Sequence, residues 1–451
     1  MNILIIYKYI YYPLRLTLDD HLYSFYRYKD KNTNVFYLPL DTSKASYWQT
    51  KKFKLPSYLK KLKFDVIVFH YGFAGGRTTG DNWKNAIQDI QYFKNSSALK
   101  VLFVQDEMYY TNPLNDFINS YGIDIIYSVA PESEWHKIYN KVDTSKVVMA
   151  KTLTGFMEPR RFKQNEKKFR NVKRTIDIGY RARRLPPWYG RHGFRKTEIA
   201  DVFNKVLAHT NLKTDISTRE EDTLYGDKWD EFLYMCRYTL GVESGASVHD
   251  PDGTINKKGY EYIKKHPEYT FEEVESILFP GMDGNLKLFA ISPRVFECAV
   301  SKTCQVLIEG EYDNILQPNI HYIPVAKDFS NVDEVVKKLR DEELRQKLVN
   351  QTYQDLILSG DYTYKKFIED FLILCGKHLK APETKSNIGN KVLSIYSFYK
   401  DRLSWRLVKW DIRKGKYLNR WYFIDMAKKI KQSNLIFRFS YKILKKLFAI
   451  G

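Results

Sequence analysis

Arg294 and Glu297 stand three residues apart in the run ISPRVFECAVSKTCQVLIEG. At the start of a helix, that spacing turns both side chains to one side. A helix N-terminus attracts a diphosphate, a guanidinium offers phosphate oxygens a planar fork of donors, and a carboxylate one turn later accepts both hydroxyls of a ribose. The chemistry implied is the binding of a nucleotide. As a plain surface ion pair the two residues would only steady the helix. The strand that follows, QVLIEG, leads to two further acids, Glu309 and Glu311.

Two other segments carry polar groups at the ends of apolar runs. In GVESGASVHDPDG, residues 241–253, Glu243 opens a small-residue stretch of Ser244, Gly245, Ala246 and Ser247. A tight turn of such residues lets backbone N–H groups approach a ligand and sets Glu243 within reach of a sugar hydroxyl. Asp250, Asp252 and Gly253 resemble the start of a calcium loop, but the remaining ligands and the terminal Glu are missing, so no metal is predicted. In DIGYRARRLPPWYGRHGFRK, residues 177–196, Arg181, Arg183 and Lys196 accompany Gly179, Gly190 and Gly193. Arginines there offset the charge of an anionic ligand such as a phosphate; the alternative is a solvated basic loop.

In the first 160 residues the polar positions after apolar runs are Arg15 with Asp19, Asp20 and His21; His70 with Gly72, Gly75 and Gly76; and Gln105 with Asp106 and Glu107. A transfer onto a hydroxyl needs a carboxylate or imidazole to take its proton. His21, Asp106 and Glu107 are the candidates here, with Glu243 from the second half; turn and cap roles compete for all of them.

The elements that must position these groups read as two α/β domains. Short apolar runs at Ile3 to Tyr7, Val35 to Leu38, Val66 to His70, Val101 to Gln105, Ile123 to Ser128 and Val147 to Met149 have the look of buried parallel strands, with a helix expected at Trp83 to Phe93. A second series has strands at Thr175 to Tyr180, Tyr238 to Val242, Val306 to Ile308 and Tyr322 to Pro324, and helices at Lys196 to Ala208 and Val332 to Val349. Two Rossmann-like doubly wound domains are predicted, 1–160 and 175–380, joined by the charged stretch Glu158 to Arg174. Ligands of such domains lie at the carboxyl ends of the strands, here in the cleft between the domains.

The 451 residues carry a formal net charge of +20. From Lys400 to Gly451 fifteen Lys or Arg face three acids, so twelve of those charges belong to the last 52 residues. Helices expected at Val392 to Trp410 and Trp421 to Phe448 would be basic and amphipathic, the pattern of an anchor on an anionic membrane surface. Lysines interleaved with aromatics also suit nucleic acid, but the tail is periodic and no nucleic-acid module is present. An apolar fraction of 44% excludes a disordered chain. Cys236, Cys298, Cys304 and Cys375 form no CxxC pair, which fits a reducing cytosol. The N-terminus reads as a first strand rather than a signal peptide, and no run is long enough to span a bilayer.

The motif Ser-Pro-Arg-x-Phe-Glu at Ser292 to Glu297, the strand after it, and His321-Tyr322-Ile323-Pro324 followed by Lys327-Asp328-Phe329 resemble the C-terminal domain of GT-B glycosyltransferases of the bacterial surface-carbohydrate and spore-coat-maturation type. The two-domain pattern of that family covers most of residues 1–375, and about 40 residues carry its specific motifs. The resemblance implies a transferase that moves a sugar from a nucleotide-sugar donor to a glycan or lipid-linked acceptor in O-antigen, capsule or lipopolysaccharide synthesis, with no resident cofactor. It implies that Glu297 holds the donor ribose and that the loop with Arg181 and Arg183 faces the diphosphate. Related retaining enzymes carry a second glutamate eight positions earlier, where this chain has Phe289, so retention is not implied. A nucleotide-sugar epimerase of the same architecture and a non-catalytic nucleic-acid-binding protein are the competing functions.

Overall fold

The structure, a computed structural model, describes residues 1–8, 16–40, 55–379 and 388–414. Two compact units are distinguished, Met1–Phe398 and Tyr399–Gly451. The expected helix Trp421 to Phe448 and Arg15 lie outside the described residues.

The first unit holds both expected sheets. Strands β1 (Asn2–Lys8), β2 (Asn34–Leu40), β3 (Val66–Phe69), β4 (Leu99–Phe103), β5 (Ile125–Ser128) and β6 (Val148–Lys151) form a parallel sheet in the order β2-β1-β3-β4-β5-β6. The central strands are apolar throughout because helices cover both faces. Leu4, Ile6, Ile67, Phe69 and Leu102 pack towards Phe73, Trp83 and Phe117. On this sheet the late helix Tyr364–His378 sets Phe367 and Phe371 against Phe25, Phe103 and Tyr127. The outer strand β2 is met by Ser394 and Ser397, whose hydroxyls accept the Val35 and Tyr37 N–H groups at 3.0 and 2.9 Å. Side-chain oxygens thus satisfy donors that an exposed edge would leave open to another chain.

A second parallel sheet contains β7 (Ile176–Arg181), β8 (Thr214–Ser217), β9 (Cys236–Gly241), β12 (Cys304–Ile308) and β13 (Tyr322–Val325) in the order β13-β12-β9-β7-β8. The short antiparallel pair β10 (Ser244–Ala246) and β11 (Leu288–Ala290) stands apart from it. Its core is built from Ile178, Tyr180, Leu240, Val306, Ile308 and Ile323 beneath Ile199 and Phe203 of the helix Gly190–Leu207. In each sheet the chain reverses its direction of strand addition once, at β1/β3 and at β7/β9. Open α/β sheets bind ligands at such reversals, beyond the carboxyl ends of the strands.

Three local expectations are corrected. The stretch Glu158 to Arg174, read as a bare connection, forms the helix Pro159–Phe169, with Glu158 accepting the Arg160 N–H at 3.3 Å. Val332 to Val349 is two helices, Val332–Lys338 and Glu342–Tyr353, the second started by Asp341, which accepts the Leu344 N–H at 2.9 Å. Ser244 to Ala246 is a strand rather than a turn. All four cysteines are buried and free, and no described helix is long and apolar enough to cross a membrane.

Candidate active site

The reversal at β7 opens onto a cavity of about 260 Å³ lined by Arg161, Arg181, Arg183, Arg219, Arg294 and Glu297, with Thr17, Trp229 and Asp230. The helix Pro293–Val300 begins at its wall, where Ser292 accepts the Arg294 N–H at 3.4 Å. The guanidinium of Arg294 lies 5.4 Å from the ring of Tyr180 and 5.0 Å from that of Trp229, and its Nη2 donates to the Arg181 carbonyl at 2.5 Å. Aromatic faces hold the cation without neutralising it. One turn later Glu297 accepts the Trp229 indole N–H at 2.7 Å, with Arg161 Nη2 3.8 Å from its other oxygen. The three-residue spacing therefore brings Arg294 and Glu297 to one cavity.

The two arginines after β7 behave differently. Arg181 donates to the Asp222, Tyr180 and Asp215 carbonyls and to the Asp215 carboxylate, and it rides over the Phe232 ring. It is mainly a strut joining β7, β8 and the turn beyond them, which corrects its expected role as a free phosphate donor. Arg183 is half exposed and pairs with Glu220 at 3.3 Å. Arg161, Arg219, Trp229 and Asp230 were not anticipated from the sequence. Arg161 sits in the segment read as a linker, and the clue available was its place in the first turn of a proline-started helix. Asp230 is buried with Oδ2 lacking a hydrogen bond, and burial holds its carboxyl above the usual range against the pull of Arg161.

At β9, β12 and β13 the same sheet ends in an acidic groove of about 760 Å³ lined by Glu243, Phe289, Glu309, Glu311, Lys327 and Asp328, among others. Glu243 is buried, and its Oε1 accepts the N–H groups of Glu311 at 3.1 Å and Tyr312 at 2.7 Å; burial raises its pKa. Its carboxylate therefore serves the 311–312 turn, a correction to its expected use on a sugar. Gly245 has φ 121°, and a Cβ there would stand 1.7 Å from the Leu288 carbonyl oxygen, so its glycine belongs to the β10–β11 pairing. The Ser244 carbonyl receives His192 Nε2 at 3.4 Å, and the His192 ring stacks on Phe289 with centroids 3.9 Å apart. Phe289, where the family resemblance would place a carboxylate, is thus a stacking partner. Burial lowers the His192 pKa to about 4, and Lys196, one turn along, adds to that.

The helix carrying His192 and Lys196 has its own N-terminus closed. Asp283 accepts the Arg191 N–H at 2.9 Å, and Ser247 Oγ accepts the His192 N–H at 3.2 Å while donating to Asp283 at 2.6 Å. Gly190, at φ 76°, is where a Cβ would meet Ser247 Oγ at 2.1 Å. Gly190 and Gly193 therefore serve packing rather than the expected open phosphate loop. Asp250 and Asp252 hold the Asn256 N–H and the Asn112 amide at 2.8 and 2.7 Å.

Of the three candidate bases from the first sheet, His21, Asp106 and Glu107, only Asp106 is exposed. His21 is 3% exposed, ringed by Phe25, Tyr71, Phe103, Tyr364 and Phe367. Its Nδ1 lies 2.9 Å from His70 Nε2, and His70 Nδ1 accepts the Gly72 N–H at 3.0 Å. That acceptance leaves the His70 proton on Nε2, so His70 donates to His21 and both rings are neutral. Burial lowers the His21 pKa to about 3, which makes it a poor base and corrects its expected role. Glu107 is wholly buried; it accepts Ser128 Oγ and Tyr139 Oη at 2.5 Å each and the Val129 and Ala130 N–H groups at 2.9 and 3.2 Å. It is a structural hub, not the base expected. Asp20 pairs with Arg27 and Arg161 at 3.2 and 3.3 Å, and Gln105 donates to the Thr154 carbonyl. Asp106 sits at φ 54°, its carbonyl held by Arg77, which also grips the Gln105 and Tyr109 carbonyls.

No protein-family model and no curated protein matches the chain. Among solved structures it is similar to TarM of S. aureus, at 13% identity and TM-score 0.38, covering 70% of this chain and 57% of that one, so the chain spans little more than half of TarM. It is also similar to HepE of Anabaena solved with UDP, at 9% identity and TM-score 0.45 over 84% of this chain and all of that one. A third is the E. coli trehalose-6-phosphate protein bound with UDP-2-fluoro glucose, at 9% identity and TM-score 0.43 over 83% and 99%.

Proposed function

We propose that the chain is a glycosyltransferase of the GT-B type, acting on a nucleotide-sugar donor. The observation that carries this reading is the cavity at the β7 reversal, where five arginines stand around Glu297, with Asp230 buried beside it. A nucleoside diphosphate has the complementary pattern: anionic oxygens for Arg294, Arg183, Arg219 and the remaining donor of Arg181, and ribose hydroxyls for Glu297. As the glycosidic bond breaks, negative charge grows on the departing diphosphate, and fixed arginines stabilise it more than they stabilise the bound donor. Lys196, Glu243, Ser244 and Gly245 shape the neighbouring strand ends. Asp106, exposed beyond β4, is the group we assign to take the acceptor's proton.

The acceptor is a glycan or lipid-linked saccharide of cell-surface polysaccharide synthesis, and the basic C-terminal tail holds the enzyme on the anionic cytoplasmic face of the membrane. Flotation with vesicles of phosphatidylglycerol tests the tail: protein that stays unbound at low salt would sink that part.

The donor site is tested by thermal shift against UDP, GDP, TDP, CMP, ADP and their common sugars. A ligand at about 100 times its Kd stabilises by roughly 2.7 kcal/mol. Stabilisation by one nucleotide that Glu297→Ala abolishes is the expected result. A wild type unmoved by every nucleotide overturns the reading.

A further inference from the structure

A groove of about 480 Å³, separate from both cavities at the ends of the second sheet, lies between the segment after β4 and the helix Thr254–Lys265. Its walls are Tyr109, Tyr110 and Thr78 on one side and Asn256, Lys257, Tyr260 and Glu261 on the other. Tyr260 is 55% exposed, yet its ring is placed: it stands edge-on to the buried Trp188 at 4.7 Å, and Trp188 in turn lies so close over Gly259 that a Cβ there would come within 2.3 Å of it. Tyr110 is fixed in the same manner over Gly253, where a Cβ would fall 1.9 Å from the ring.

The two walls are also joined through their backbones. Tyr110 N–H donates to the Asp250 carbonyl at 3.0 Å, Asp250 N–H to the Met108 carbonyl at 2.7 Å, and Asn112 N–H to the Pro251 carbonyl at 3.0 Å. His249 Nε2 and Thr111 Oγ1 meet at 3.0 Å. The groove is therefore formed before any ligand arrives, and little entropy is lost in ordering it. The wall is tied to the segment of the proposed base, because Arg77 donates to the carbonyls of both Tyr109 and Asp106, at 3.4 and 2.5 Å.

We propose that this groove is a saccharide-binding subsite that holds the acceptor glycan, with sugar rings laid on Tyr110 and Tyr260 and their hydroxyls bonded by Thr78, Asn256 and Glu261. The assignment rests on the glycosyltransferase reading for the word acceptor, but the saccharide chemistry stands on the groove alone. Ring faces beside amide, hydroxyl and carboxylate groups match the C–H faces and equatorial hydroxyls of a pyranose. Nucleic-acid bases also stack on tyrosine, but a strand of phosphates needs a basic channel. Here Lys257 is balanced by Glu261, so the groove selects a neutral ligand.

An array of neutral, uronic-acid and amino-sugar oligosaccharides, with dT20 as a control, tests this on the full chain without nucleotide. Wild type and Tyr260→Phe are expected to retain a common set of neutral saccharides in preference to the charged ones, and Tyr260→Ala to bind them roughly tenfold more weakly at an unchanged melting temperature. Retention of no saccharide by wild type, equal retention by Tyr260→Ala, or preference for dT20 overturns the proposal. Nucleotide thermal shift on Tyr260→Ala separates the two readings: a shift equal to that of wild type beside an empty array leaves the donor site standing and removes only this subsite.

Discussion

The two parallel sheets have the same strand logic and opposite fates at their reversal points. Beyond β1 and β3 stand His21 and His70, and aromatic side chains surround His21. Beyond β7 the corresponding position is a cavity in which Arg294 and Glu297 face open space. Position at a strand end is therefore insufficient to make a residue functional; what the rest of the chain lays over it decides. The helix Tyr364–His378 covers the first reversal and leaves the second open.

The sharpest test of this contrast is at Glu107, which stands for the closed end. Glu107→Ala strands two hydroxyls and two N–H groups in the interior, and a loss of about 3 kcal/mol or more is expected in urea unfolding. A stable variant that had lost the proposed transferase activity would instead make Glu107 catalytic and break the comparison. Next in size is Arg294→Ala at the open end. Losing one charge-assisted contact costs about 1.5–3 kcal/mol, so nucleotide affinity should fall roughly 10- to 100-fold by calorimetry while the melting temperature stays put.

Acid exposes the closed end in another way. His21 is held neutral down to about pH 3, whereas in the unfolded chain it protonates near its ordinary value of 6.5. Between those limits the unfolded state binds the extra proton, so stability is complete above pH 6.5 and falls on acidification by up to about 1.4 kcal/mol per pH unit. His21→Phe should flatten that slope in unfolding curves taken from pH 7 to pH 4; an unchanged slope would show that His21 is accessible after all. The smallest effect is expected at Arg183→Ala. Its exposed pair with Glu220 contributes about 0–1 kcal/mol, so stability should hardly move, and any change should appear in nucleotide affinity alone.

Most strands were legible because a strand buried on both faces leaves an unbroken apolar run, as NILIIYK and CQVLI do. The strand Thr214–Ser217 was not, since it lies at the sheet's edge with no side chain fully buried and reads as polar. The helix Pro159–Phe169 buries only Asn165 and Phe169, too little to leave a visible stripe among its lysines. At the site, Arg294 and Glu297 were readable because their proximity is local, set by one helical turn. His21 and Glu107 were misread because their environments are made by residues far along the chain: Tyr364 and Phe367 for the first, Ser128 and Tyr139 for the second. Arg161 was missed for the same reason, its partners Asp20 and Glu297 coming from opposite ends of the unit.

The helix Tyr364–His378 has a consequence for synthesis. The first six strands leave the ribosome well before it does, and until it follows, Phe103 and Tyr127 on one face of their sheet, with Phe25 of the helix Leu16–Arg27 beside them, lack the cover of Phe367 and Phe371. Domains of a nascent chain usually complete themselves in order of emergence. Here the first sheet must wait for more than two hundred further residues, so a chaperone that shields aromatic surface has a defined window in which to act. A chain cut short before Tyr364 should be its most persistent client.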